Sequence, residues 1–130
     1  MPAEPIGRSK WQLDTPALCI DAYKLERNIA KMAEFVRSRG IALRPHAKTH
    51  KCPAIAWMQL RAGAIGITCA KLGEAEVMAQ AGIQDLLVAN QVVGPEKIAR
   101  LAALAAYTRV LVAVDDADNA GAISSAAVAR

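Results

Sequence analysis

Apolar residues along the chain follow two spacings, one typical of helices and one typical of short buried strands. Between residues 22 and 39 they recur every three or four positions, at Leu25, Ile29, Met32 and Val36. This spacing predicts an amphipathic helix. Asp21 can cap its amino end, and Gly40 is suited to end it.

The residues before this helix form two parts. Residues 1–14 have no clear periodicity and are predicted to be an irregular lead-in. Thr15 to Asp21 reads TPALCID, an apolar run that opens with a proline. We predict a short strand there.

After Gly40, apolar runs and helical segments alternate. The runs begin near Ile41, Ala64, Ile83 and Arg109, roughly 20 to 26 residues apart. Pro53 suits the first turn of the second helix, and aspartates open the last one, where the helix dipole favours them. Strands that are apolar throughout and alternate with helices predict a parallel sheet with both faces covered.

Two α/β architectures contain such sheets, the doubly wound sheet and the (β/α)8 barrel. No GxGxxG follows any strand, so the nucleotide-binding form of the first lacks its phosphate loop. A barrel takes about 250 residues, whereas this sequence has 130 and about four βα units. We therefore expect half of a barrel, as a fragment of a larger protein, unless the four units close differently.

Composition narrows the function classes. The sequence is 54% hydrophobic and its net charge is only +4, with scattered aromatic residues, which disfavours nucleic-acid binding. Three cysteines without CxxC spacing indicate a reducing compartment. No signal core and no run of about 18 apolar residues is present, so we expect a cytoplasmic protein without a membrane partner.

A cluster of basic residues lies where the first repeat strand ends. Leu43 to Lys51 reads LRPHAKTHK, and ligand chemistry in parallel α/β folds gathers at the carboxyl ends of strands. Pro45 favours an extended conformation for Arg44. If that conformation persists, period-two alternation places Arg44, His46 and Lys48 on one face.

Three interpretations of this cluster remain open. A metal site would use His46 and His50, with or without Cys52, but their four-residue spacing serves a metal on a helix, and the proline argues against one. A solvated loop is the usual fate of such residues. A reactive lysine is favoured by desolvation and by neighbouring cations, which disfavour the charged amine. Spacing alone does not separate Lys48 from Lys51.

Three longer segments resemble a known family in order and spacing. They are LDTPALCIDAYKLERNIAKM, RPHAKTHK and GITCAKLGEAEVMAQAGIQDLLVANQVVGPEKIARLAAL. Together they resemble the N-terminal part of the D-threonine aldolase and D-serine dehydratase-like family, which are alanine racemase-like, fold type III enzymes. The resemblance runs from about Leu13 to Arg130.

The resemblance implies a pyridoxal 5′-phosphate-binding (β/α)8 TIM barrel, of which residues 1–130 are the N-terminal part, and a homodimer. The C-terminal β domain, with a divalent metal site for Mn or Zn, is absent from this chain. Lys48 matches the lysine that holds the cofactor as a Schiff base. His46 and Arg44 are then expected to contact the cofactor, and no metal ligand is assigned within this chain.

The implied activity is that of a lyase acting on β-hydroxy-D-amino acids, by retro-aldol cleavage to glycine and an aldehyde. A D-serine dehydratase, an amino-acid racemase and a non-catalytic pyridoxal-phosphate-binding protein are the alternatives. The short chain alone is expected to be an incomplete catalyst or a fragment that does not fold alone.

Several other residues have a functional and a structural interpretation. Lys71 could approach a cofactor, and Glu74 and Glu76 could act as acid or base. First-turn helix residues are the preferred interpretation of both glutamates. Cys69 is expected to be a buried apolar residue. Packing residues are expected at Met32, Met58 and Met78.

Overall fold

The computed structural model describes residues 6–129, which form five α-helices and three β-strands. The helices are α1 (Ala22–Arg37), α2 (Pro53–Arg61), α3 (Leu72–Gln80), α4 (Pro95–Ala105) and α5 (Ala117–Val128). The strands are β1 (Ile67–Cys69), β2 (Asp85–Val88) and β3 (Arg109–Val112). Two 3-10 turns lie at Lys10–Gln12 and Ala47–Thr49.

The three strands form one parallel sheet in the order β1-β2-β3. Ile67 is in register with Leu86, and Leu86 with Val110. A helix connects each strand to the next, as parallel pairing requires. The predicted α/β fold with successive βα units is confirmed.

The first repeat strand is present only as an extended segment. It runs beside β1, where the N–H of Thr68 donates to the carbonyl of Pro45 at 2.8 Å. One isolated parallel bridge joins His46 to Thr68. Pro45 has no N–H to donate, which explains why a regular ladder does not form there.

The predicted strand at Thr15 to Asp21 is not formed among the described residues. This segment has no ladder partner, and Leu18 and Ile20 are exposed. An apolar run without a neighbouring strand has nothing to pair with, so composition alone does not make it a strand. In the lead-in, residues 1–5 lie outside the described residues, and the rest contains the turn at Lys10–Gln12.

The helix boundaries follow local signals in the sequence. The Asp21 side chain accepts a hydrogen bond from the N–H of Lys24 at 3.0 Å, and the Asp116 side chain accepts one from Asn119 at 2.8 Å. Pro53 occupies the first turn of α2. All three predicted helix starts are confirmed. Gly40, three residues beyond α1, has a φ of 65°, which suits glycine.

The core lies between one face of the sheet and helices α2, α3 and α4. Its apolar residues are in contact across these elements, among them Ile67, Cys69, Leu86, Val88, Met78, Ile83, Leu101 and Leu104. Burial along β2 alternates, and β3 alternates between half-buried and exposed residues. The prediction that both sheet faces are covered is therefore confirmed at β1, whose three residues are all buried, and is wrong at β3, where every second residue is exposed.

Helix α1 packs less tightly than α2, α3 and α4. Ala33 is its one buried residue, and Met32 is half exposed. Met78 is buried in the core as expected, whereas the prediction of a packing role for Met32 is wrong in this structure. Within residues 6–129, no helix is both long and apolar enough to cross a membrane.

Candidate functional site

The candidate site is the turn that follows the extended segment, at the carboxyl end of β1. Ala47 is buried, and its carbonyl accepts hydrogen bonds from the N–H groups of His50 at 3.2 Å and Lys51 at 2.7 Å. These bonds close a compact turn over residues 47–51. The chain is therefore curled, and no longer extended, where Lys48 emerges.

Both histidines of this turn accept backbone hydrogen bonds two residues ahead. Nδ1 of His46 accepts from the N–H of Lys48 at 3.2 Å, and Nδ1 of His50 accepts from Cys52 at 3.0 Å. A nitrogen that accepts such a bond is not free to bind a metal. Within residues 6–129, no three His, Cys, Asp or Glu side chains are grouped to hold an ion.

The two lysines of the turn differ in their partners. The ammonium of Lys51 lies 3.7 Å from Oε1 of Glu74. Lys48 is exposed, and its ammonium has no ion pair with any residue in the described part of the chain. Lys51 also has a φ of 48°, the left-handed region that a non-glycine residue seldom adopts.

Glu74 joins this turn to the amino end of α3. It is the third residue of that helix, and its carboxylate accepts from the N–H of Ala70 at 2.8 Å. Burial raises its pKa, but the hydrogen bonds from Ala70 and Lys71 and the charge of Lys51 outweigh burial, so the pKa of Glu74 lies below its ordinary value. The first-turn interpretation of Glu74 is confirmed.

The other two candidates on this segment are Glu76 and Lys71. Glu76 receives two hydrogen bonds from the guanidinium of Arg100, from Nε at 2.9 Å and from Nη2 at 2.5 Å. This pair links α3 to α4, so an acid or base role for Glu76 at the turn is not supported. Lys71 precedes α3 with an exposed side chain.

The structure separates Arg44 from His46 and Lys48. The guanidinium of Arg44 pairs with Asp85 at the start of β2, and Asp85 also pairs with Arg109 at 2.5 Å. Because both partners open their strands, this ion cluster lies at the amino end of the sheet, opposite to the turn. The guanidinium of Arg44 therefore lies away from the turn, and its contact with the cofactor stays a prediction.

The extended conformation predicted to persist through Lys48 ends earlier for a local reason. His46 is the last extended residue, and the 3-10 turn begins at Ala47, so period two does not extend to Lys48. Arg44 instead crosses the position of Gly66, where a Cβ would collide with its Nη1. Arg44 therefore forms an ion pair at the sheet. Of the three predicted site residues, the structure brings together Lys48 and His46.

His50 anchors the turn from its other side. Its Nε2 and the Oε1 of Gln59 on α2 are both buried and lack a hydrogen bond to any described residue. Burial lowers the pKa of His50 below its ordinary value. Both residues lie on the wall of a mostly apolar cavity of about 640 Å³ between α1 and α2. No pattern in the sequence predicted that these two polar side chains would line the same cavity.

Cys69 ends β1 inside the core. It is inaccessible to solvent, and burial together with the nearby charge of Glu74 raises the pKa of its thiol to about 11. The thiol is accordingly protonated at neutral pH and inert. The expectation of a buried apolar cysteine is confirmed.

Comparisons with known proteins agree on one family. The N-terminal domain of alanine racemase matches residues 20–130. The D-threonine aldolase of an Arthrobacter species is 45% identical over 127 residues, which is 98% of this chain and 32% of the relative. The chain thus spans about a third of the length of this curated relative.

Two solved structures give the same result. The D-threonine aldolase of Filomicrobium marinum superposes with a TM-score of 0.88 at 49% identity, over 89% of this chain and 31% of the other. The D-threo-3-hydroxyaspartate dehydratase of Delftia sp. HT23 gives 0.80 at 38% identity, over 88% of this chain and 30% of the other. The chain belongs to the alanine racemase N-terminal domain family.

Proposed function

We propose that this chain is the N-terminal barrel segment of a pyridoxal-phosphate-dependent lyase that cleaves β-hydroxy-D-amino acids, with Lys48 as the lysine that holds the cofactor. The observation that carries the proposal is the exposed amine of Lys48, which has no ion pair among residues 6–129 and lies on a hydrogen-bonded turn at the carboxyl end of β1. The relatives support the substrate class, since they are named as enzymes of D-threonine and hydroxyaspartate.

The residues present suit the attachment of an aldehyde cofactor. Attachment needs an accessible primary amine, and the exposed amine of Lys48 has no ion pair with a carboxylate among the described residues. Nδ1 of His46 is already used by the turn, which leaves Nε2 for a contact with the cofactor. When bound, pyridoxal phosphate supplies a ring that accepts the electron pair of the breaking bond.

The amine of Lys48 has two roles in this proposal. It holds the cofactor before substrate binds, and as a free amine it then carries protons to and from the reacting carbon. In the aldolase reaction the Cα–Cβ bond breaks, the β-hydroxyl loses its proton and Cα gains one. The divalent metal and the homodimer of the family are proposed for the whole protein.

The reaction products distinguish the candidate functions of the chain. With pyridoxal phosphate and Mn²⁺, an aldolase releases glycine and acetaldehyde from D-threonine. The similarity to the Delftia dehydratase supports dehydration as the second candidate, and ammonia with an α-keto acid would then be the products. Cofactor binding at Lys48 without either product would indicate a non-catalytic cofactor-binding protein.

A further inference from the structure

Two lysines lie three residues apart in the same turn, and among the described residues a carboxylate pairs with only one of them. Lys51 pairs with Glu74, whereas the ammonium of Lys48 has no such partner within residues 6–129. Both can in principle react with an aldehyde. We therefore expect any difference in their reactivity to come from the side chains that surround each amine.

The carboxylate of Glu74 is held in place by a hydrogen bond that does not involve Lys51. Only 15% of its side chain is exposed, and the N–H of Ala70 donates to its Oε2 at 2.8 Å. Its other oxygen, Oε1, faces Lys51. A small cavity of about 180 Å³, lined in part by Ala47, Lys51 and Glu74, lies beside this contact.

We propose that Glu74 is a positioning residue that determines which lysine of the turn reacts with an aldehyde. The nitrogen of Lys51 must leave its carboxylate partner before it can add to a carbonyl, so the ion-paired lysine is the slower nucleophile. In the reaction the free amine adds to the aldehyde carbon. A C=N bond replaces the C=O bond, and the oxygen leaves as water without a change of oxidation state.

The turn itself contributes to this selection. The left-handed backbone at Lys51 is held by the bond from its N–H to the carbonyl of Ala47 at 2.7 Å. His46 meanwhile accepts a hydrogen bond from the backbone N–H of Lys48, and no ion pair holds the Lys48 amine in the described part of the chain. The aldehyde is pyridoxal phosphate only if the proposed function is correct, but the choice between the lysines does not depend on that identity.

The first test uses the chain without cofactor. Limiting acetic anhydride acetylates free amines, and peptide mass spectrometry gives the ratio of modified Lys51 to modified Lys48. In Glu74→Gln the amide oxygen still accepts from Ala70 while the charge is lost, so this ratio should rise about two- to fivefold. Glu76→Gln, on the same helix and paired with Arg100, should leave it unchanged.

An unchanged ratio in Glu74→Gln overturns the proposal, as does an equal rise in Glu76→Gln. If Glu74→Gln does not fold, Glu74→Asp keeps the charge but withdraws it from Lys51, and the same rise is expected. A general loss of structure would raise the reactivity of both lysines and leave their ratio near that of a denatured sample, which is measured alongside.

The second test uses pyridoxal phosphate and borohydride. The fraction of label on Lys51 should increase in Glu74→Gln, and Glu74→Gln/Lys51→Arg should restore all label of the turn to Lys48. If the unaltered chain takes no label at Lys48 while the acetylation ratio responds to Glu74, the proposed function fails and this inference stands. If Lys48 takes the label but the acetylation ratio does not respond to Glu74→Gln, the proposed function stands and this inference fails.

Discussion

The imidazole of His46 accepts a hydrogen bond from the backbone N–H of Lys48, with Nδ1 and N 3.2 Å apart. This contact makes His46 the cap of the turn at Ala47–Thr49. A histidine predicted to support a cofactor thus also fixes the backbone of the lysine proposed to hold it.

Replacement of His46 tests this cap. His46→Ala should lower the free energy of unfolding by about 1 kcal/mol, the usual cost of a lost capping bond. In His46→Asn the shorter side chain can still accept from the N–H two residues ahead, so most of the stability should return. Urea denaturation measures both. Equal stability of the two variants would contradict the capping role.

Gly66 tests the path of Arg44 to Asp85. A Cβ at this position would collide with Nη1 of Arg44 and lie 2.6 Å from the carbonyl oxygen of Asp85. Gly66→Ala should therefore destabilise the fold by about 1–3 kcal/mol. Gly121→Ala, in the open interior of α5, should be neutral or stabilising by up to about 1 kcal/mol. The prediction fails if thermal denaturation shows no difference between the two.

Asp85 should make stability depend on acid pH. Burial raises the pKa of its carboxyl, but the guanidinium groups of Arg44 and Arg109 outweigh burial and hold the pKa below its ordinary value. Its contribution is thus complete above the unfolded value, about pH 4, and is lost as pH falls through the lower folded value. Urea denaturation between pH 7 and pH 2 should show this loss, and Asp85→Asn should reduce it. An unchanged pH dependence in Asp85→Asn would refute the pairing.

Two of the three cysteines, Cys19 and Cys69, should react with thiol reagents at very different rates. Cys19 is exposed and should react at once, whereas Cys69 is inaccessible and its thiol pKa is about 11. At pH 8 only about one Cys69 thiol in a thousand is ionised. Ellman's reagent with peptide mapping should modify Cys69 only after unfolding. Rapid modification of Cys69 in the native chain would mean that β1 is not buried.

The helices and their starts could be predicted because their signals are local. Asp21, Pro53 and Asp116 each lie beside the apolar pattern that they begin. The carboxylate of Glu74 follows the same logic, since a glutamate at the third position of a helix commonly reaches back to the backbone before it. That pattern was visible in the sequence, but its second partner, Lys51, was not.

The site was harder to predict because it depends on contacts between distant residues. Arg44 is bound by Asp85, 41 residues later, and no local pattern shows that pairing. Period-two alternation assumed that the chain stays extended through Ala47, yet the hydrogen bonds of its carbonyl curl the chain there. Of the three residues predicted to share a face, Arg44 therefore pairs at the amino end of the sheet, whereas His46 and Lys48 lie at the candidate site.

The measurement that tests the central claim most directly is the position of the cofactor on the chain. The protein is incubated with pyridoxal phosphate, reduced with borohydride and mapped by peptide mass spectrometry. We predict the pyridoxyl label on Lys48, its loss in Lys48→Ala and its retention in Lys97→Ala, which removes an exposed lysine of α4. Label that persists elsewhere at the same level in Lys48→Ala would contradict the claim.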